Sequence, residues 1–387
     1  MKKLVTILLV VSGLSWAYTR YGYLITSFQN FPKKSDVDTS PVTISKESND
    51  DSSLSFLHLQ PGYQISYFAK DVPGARSLAV GDSGVVYVGT RDPGVVYALV
   101  DNNQDGVADN RFVVASKLNS PNGVVYHEGT LYIAEIGRVI KFENIDDNYM
   151  NNPSYSVVYD DLPKDTHHGW RYMAIGPDDK LYLGIGAPCN TCQVEDPYGS
   201  IARMNLDGTG FEIVARGIRN TVGFDWNPED QSLWFTENGR DMLGEDSPRD
   251  ELNQLRTEGD HFGFPYCHDG TILDPKFGTG KSCTDYESPS LSLSPHAAAL
   301  GMKFIGDRIL IAEHGSWNRK VPTGYRVMSV DVANGVVSNY QVFIDGWLGE
   351  DGKAKGRPVD ILQLRDGSIL ISDDFSGSVY RVTNQVQ

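Results

Sequence analysis

Apolar residues along this chain alternate with polar ones in short runs, and the runs recur in pairs. Each pair is an apolar strand, a Gly/Asp turn and a second strand of alternating aromatic and β-branched residues. The first copies read LAVGDSGVVYVGT (78–90), VVYHEGTLYIAE (124–135) and MAIGPDDKLYLGIG (173–186). The pattern returns as FDWNPEDQSLWFTENG (224–239), MKFIGDRILIAEHG (302–315) and ILQLRDGSILISDD (361–374). Most copies add a third strand, as in VVYALV (95–100), RVIKFE (138–143) and SVYRVT (378–383). Period-two alternation bounded by turn residues predicts half-buried antiparallel strands, and helical periodicity is nearly absent. Six copies of one such unit predict an all-β fold, a six-bladed β-propeller with four-stranded blades.

The N-terminus has a different pattern. Lys2 and Lys3 precede an apolar run over 4–16, and Ser15-Trp16-Ala17 has the form of a small-x-small cleavage site. The run is shorter than the ~20 residues of a membrane span, so 1–17 reads as a secretory signal peptide or an uncleaved anchor. Residues 18–53, Ser- and Asp-rich from position 30, read as a flexible linker. That leaves 54–387 for the propeller, with the ordered part beginning between 54 and 67. A periplasmic or secreted location follows, with membrane contact only if the N-terminal segment stays in place. Four cysteines fit that compartment: Cys189 with Cys192, and Cys267 with Cys283, are expected to form two local disulfides. A zinc site would call for a second close pair.

Charge narrows the partners. Asp and Glu number 50 against 34 Lys and Arg, for a net charge of −16. Nucleic acid and anionic membranes both need a basic face, so neither is an expected partner. Against that acidic background, cations gathered at equivalent points of the repeat stand out. Arg76 precedes the first copy, His168 and Arg171 the third, Arg219 and Asn220 the fourth, and Arg357 the sixth, while GSWNRK follows the second strand of the fifth. In a propeller such positions converge at one end of the central channel. The stretch at 217–251 joins Arg219 and Asn220 to a loop dense in Gly, Asp and Glu, a combination suited to an anionic ligand bridged by a hard cation. A separate run, DNNQDGVAD (101–109), has the D-x-N-x-D-G form of a calcium loop but lacks its distal Glu; its default reading is a solvated turn.

Taken in order, HHGWRYMAIGPDDKLYLGIGAP, GIRNTVGFDWNP, the ENGRD loop with its downstream DE, and EHGSWNR resemble the glucose/sorbosone dehydrogenase family. The likeness runs from about residue 54 to 382 and leans to its sorbosone/pyranose dehydrogenase branch. These are soluble quinoprotein sugar dehydrogenases on six-bladed propellers that use pyrroloquinoline quinone (PQQ) with Ca²⁺. The resemblance implies hydride removal from an aldose or sugar aldehyde, with His168 as general base and His167 as its neighbour. It implies an external electron acceptor, a quinone or cytochrome, since the chain carries no CxxCH haem motif. It places Arg219 and Asn220 over the quinone face and Arg357 on a cofactor carboxylate. Arg319 or Lys320, and Arg76, are the further cofactor-binding candidates. For the metal it points to Gly239 and Arg240 through their carbonyls, with Asp250, Asp241 and Glu251 as further ligands or orienters. The chain departs from the family's glucose dehydrogenases between the fourth and fifth blades, where Cys267, Cys283 and SPSLSLSPHAA are expected to border the substrate pocket.

Two other functions fit a propeller of this kind. A Ca²⁺-dependent lactonase would hold its metal on side-chain carboxylates and amides and would not need converging arginines. A catalytically silent binding module would bind ligand without turnover. PQQ affinity separates the three.

Overall fold

The computed structural model describes residues 39–44 and 51–385; the expected signal or anchor, and most of the expected linker, lie outside the described residues. Six antiparallel sheets stand around a central axis, as the repeats predict. Their innermost strands are Ala75–Val80, Gly123–His127, Met173–Ile175, Phe224–Trp226, Ala299–Ile305 and Pro358–Gln363. Each predicted copy supplies the first two strands of one blade. The ring closes because the early strand Tyr63–Ala69 pairs with the last one, Ser378–Asn384, and completes blade six.

Two blades are wider than expected. His58–Leu59 adds a fifth strand to blade five, against Asp345 and Ile344. Val42–Thr43 adds one to blade one, against Arg111 and Asn110, and the next residue, Ile44, is buried against that blade. Residues 42 and 43 therefore form a strand within the stretch expected as linker. Edge pairing satisfies main-chain groups that an open blade edge would leave to solvent.

Blade four carries an insertion at 256–290, between its third strand and the two-residue fourth strand Leu291–Ser292. Both expected disulfides are formed, Cys267 to Cys283 inside this insertion and Cys189 to Cys192 in the loop between the second and third strands of blade three. The 101–109 loop is closed by its own side chains. Asp101 accepts the Asp105 and Gly106 N–H groups at 3.2 and 2.8 Å, and Asn103 accepts the Asp105 N–H at 3.0 Å.

Between blades the packing is aromatic and aliphatic on the faces and main chain on main chain near the axis. Tyr172 meets Phe224 edge to face at 4.9 Å where blades three and four join. Closer to the axis glycines recur at the seams. A Cβ on Gly223 would stand 2.2 Å from the Leu300 carbonyl oxygen of blade five, and one on Gly89 would stand 2.2 Å from that of Asn122. Acidic residues on inner strands cap the next blade: Asp225 accepts the Phe304 N–H and Asp360 the Leu78 N–H, each at 2.9 Å.

The Gly223 contact is with backbone, so the neighbour cannot rotate away. Gly223→Ala is expected to lower the unfolding free energy by about 1–3 kcal/mol, the usual cost of forcing a methyl into a packed interior. In urea titrations this would appear as a lower midpoint with an unchanged slope.

Candidate active site

At one end of the axis the blade loops enclose a cavity of about 540 Å³, within the usual range for a small-molecule site. Its lining includes Arg76, His168, Arg219, Asn220, Gly239, Asp250 and Arg357, which come from five separate stretches of the chain. Seven of the ten residues expected from sequence to catalyse or bind thus meet in one place.

His168 sits in a left-handed turn (φ 51°) just before blade three. Its Nδ1 lies 2.8 Å from the Ala187 carbonyl. A carbonyl only accepts, so Nδ1 carries the proton and Nε2 keeps a lone pair. Burial, then the Arg219 charge and His167, hold the imidazole well below its ordinary pKa. Gly186 leaves room for it: a Cβ there would fall 2.6 Å from that of His168 and 2.8 Å from the Asn220 side-chain oxygen. Arg171 lines no part of the cavity. Its buried guanidinium donates to the carbonyls of Ile136, His168 and Pro163 and fastens the turn that carries His168.

Arg219 is buried and held along its edge. Nε donates to the Asn190 carbonyl (2.8 Å) and Nη1 to that of Asn238 (3.2 Å). Nη2 donates to Asn190 Oδ1 (2.9 Å) and Asp241 Oδ2 (3.0 Å). Four of its five N–H groups are spent within the guanidinium plane, so its face is what remains for a flat ligand. Arg76 is held by Asp374 (2.7 Å) and Asn122 (2.5 Å). Arg357 donates to the His314 and Gly315 carbonyls at 3.2 and 2.6 Å. Among the described residues no carboxylate lies within ion-pair distance of it, which leaves its charge for a ligand anion.

The ENGRD turn offers carbonyls. Among the described residues neither the Gly239 nor the Arg240 carbonyl accepts a hydrogen bond. Asp250 braces the turn by accepting the Gly239 and Ala299 N–H groups at 3.0 and 3.2 Å, and burial raises its carboxyl to about 7. The Arg240 side chain turns away to pair with buried Asp274 of the insertion. Glu251 lies behind the turn, with its carboxylate on the Asp269 N–H and the Asn253 amide. Among the described residues no three His, Cys, Asp or Glu side chains are grouped to hold a metal. A cation here would rest on main-chain oxygens and the ligand's own, which suits Ca²⁺. The residues present therefore fit an anionic planar cofactor with a hard cation.

Arg319 and Lys320 are not part of the cavity lining. Arg319 is tied to the rim, donating to the carbonyls of Val321 and Glu245 and to Asp246. The Lys320 side chain is 72% exposed, with Glu245 at 3.7 Å. From the same segment it is Gly315 and Trp317 that line the cavity. The SPSLSLSPHAA run does border it, through His296 and Ala298, whereas the Cys267–Cys283 segment contributes no lining residue. Sequence reasoning missed Arg91, Trp170 and His314. Arg91 lies 5.0 Å over the Trp170 ring. His314 Nε2 is 2.8 Å from Asp374, whose other oxygen holds Arg76. Burial alone would raise the Asp374 carboxyl; His314, Arg76 and Arg357 outweigh it and hold it far below its usual range. EHG follows the second strand of blade five just as ENG follows that of blade four, a parallel that could have flagged His314.

Residues 57–385 match the family described as TrAA12-like. The chain belongs to that family. It is 31% identical over 368 residues to an uncharacterised protein of Borreliella burgdorferi, covering 89% of this chain and 94% of the relative. Among solved structures, a calcium structure of a Trichoderma reesei enzyme of carbohydrate-active family AA12 superposes with a TM-score of 0.75. Identity is 19%, over 85% of this chain and 97% of that one. The holo form of the pyranose dehydrogenase PQQ domain from Coprinopsis cinerea gives 0.71 at 19% identity, over 84% and 97%. This TrAA12-like chain thus shares its propeller fold with quinoprotein dehydrogenases. The comparisons do not single out the sorbosone dehydrogenases.

Buried His314 ties acid stability to the site, because burial, then Arg357, lowers its pKa to about 4. An unfolded imidazole binds its proton near 6.5, so between there and about 4 the unfolded state holds more protons and stability falls with pH, by roughly 3 kcal/mol in all. Asp250 and Glu251, each raised to about 7 by burial, act oppositely and cost stability as pH rises towards 7. In urea unfolding from about pH 7.5 to about 4.5, His314→Gln is expected to lose less stability on acidification than the unaltered protein. Parallel curves would show that His314 does not contribute this slope.

Proposed function

We propose that this protein is an oxidoreductase that uses PQQ with Ca²⁺ to oxidise an aldose or sugar aldehyde, with an external acceptor taking the electrons. The observation that carries this reading is His168. A neutral imidazole with a free Nε2 lone pair lines a cavity ringed by arginines. Its Nε2 takes the substrate hydroxyl proton, and burial keeps the ring unprotonated at neutral pH so that it can do so. Arg357 would hold a cofactor carboxylate, Arg76 lines the cavity beside Asp374, Arg219 offers its face, and Asn220 places a side-chain oxygen beside Gly186. The Gly239 and Arg240 carbonyls, on the turn braced by Asp250, would hold the cation. Bound PQQ would supply the two-electron acceptor, and Ca²⁺ would supply a Lewis acid. The calcium and PQQ named for the two superposed structures support the same cofactors here. A lactonase cage of side-chain carboxylates has no counterpart among the described residues. The two disulfides support export to an oxidising compartment.

Reduction of an acceptor dye with a panel of aldoses and sugar aldehydes should require both PQQ and Ca²⁺. His168→Ala should cut turnover by about 100-fold or more with PQQ still bound. Arg357→Ala should weaken PQQ binding roughly tenfold, while Lys320→Ala leaves it unchanged. A protein that does not bind PQQ, or a fully active His168→Ala, would overturn the proposal.

A further inference from the structure

One loop, between the second and third strands of blade three, touches both His168 and Arg219. Ala187 accepts from His168 Nδ1 through its carbonyl, and through its N–H it donates to the Arg219 carbonyl at 2.8 Å. Three residues on, Asn190 takes two N–H groups of Arg219, one on its own carbonyl and one on Oδ1. The same Oδ1 accepts the Asp241 N–H at 2.8 Å, and Asn190 Nδ2 donates to the Asp241 carbonyl at 3.0 Å. Asp241 in turn holds Arg219 through Oδ2 and Asn318 of blade five through Oδ1. Asn190 lies inside the small ring closed by Cys189 and Cys192, whose Cα atoms are 6.1 Å apart.

From this geometry we infer that Asn190 is a positioning residue, and that the Cys189–Cys192 ring sets the plane in which Arg219 meets its ligand. The inference rests on the quinoprotein reading above. An arginine on its flexible stem has considerable rotamer freedom, and one anchored at a single point can still roll about its own axis. Here contacts along the edge fix both position and roll, so the guanidinium face is already oriented when a planar anion arrives. Asn190 supplies two of those contacts directly and steadies Asp241, which supplies another. The disulfide restricts the loop that holds Asn190, so loop order need not be recovered at each binding event.

The test is a double-mutant cycle on PQQ binding with Ca²⁺ present. Affinity is read by quenching of tryptophan fluorescence, since Trp170 and Trp317 line the cavity, and the environment by the visible absorption band of bound PQQ. Asn190→Ala is expected to weaken binding roughly tenfold and to shift the band. In an Arg219→Lys background the same substitution should add almost nothing, because its effect runs through the guanidinium. Cys189→Ser with Cys192→Ser, which keeps Asn190 and opens the ring, should shift the band in the same direction by less. Additive losses, or an unshifted band in Asn190→Ala, would overturn the inference and leave the quinoprotein reading standing. Failure of the unaltered protein to bind PQQ would overturn both.

Discussion

Everything at the cavity depends on closure of the ring. Tyr63–Ala69 pairs with Ser378–Asn384, and only then do blades one and six become neighbours. Across that junction run the Asp360 contact to the Leu78 N–H and the buried Arg76–Asp374 pair, whose members are 298 residues apart. A buried ion pair is costly to leave half made, so the seam that completes the fold also completes the site. Asp374 serves both sides of it, holding Arg76 with one oxygen and His314 with the other.

The electrostatics follow from which charges the protein satisfies for itself. Arg76 and Arg219 are paired to carboxylates and further fixed by amide or carbonyl oxygens, so they act as shaped surfaces more than as free charges. Arg357 donates only to carbonyls among the described residues and lies 5.5 Å over the Tyr325 ring. Its charge is what the cavity offers an incoming anion. The same cationic surroundings work on the histidines. His168 and His314 are both driven towards the neutral form, first by burial and then by a nearby arginine.

Much of the fold was legible in the sequence because each blade repeats one strand–turn–strand unit, and a turn residue or a period-two run needs no tertiary context to be read. The blade-junction residues His168, Arg219, Asn220 and Arg357 were legible for the same reason: equivalent places in a repeat converge. Arg319 and Lys320 misled because they sit in a long loop, where neighbouring acids Glu245 and Asp246 draw them to the rim. The edge strand at residues 42 and 43 was hidden because two residues carry no periodicity. Asn190 was hidden because its partners, Arg219 and Asp241, come from two separate segments, and a lone Asn in a polar loop reads as a turn. Asp374 looked like the polar end of an ordinary strand; only the ring places it beside Arg76.

The glycines at the seams carry a consequence for the channel as a whole. Where Gly223 meets Leu300 and Gly89 meets Asn122, adjacent blades touch through main chain with no side chain between them. The bore is therefore gauged by peptide planes, which are the same in every sequence. Side chains that face the cavity can be exchanged for larger, smaller or differently charged ones without moving the walls. The scaffold holds its calibre independently of its chemistry, and one ring of fixed width can serve ligands of many kinds.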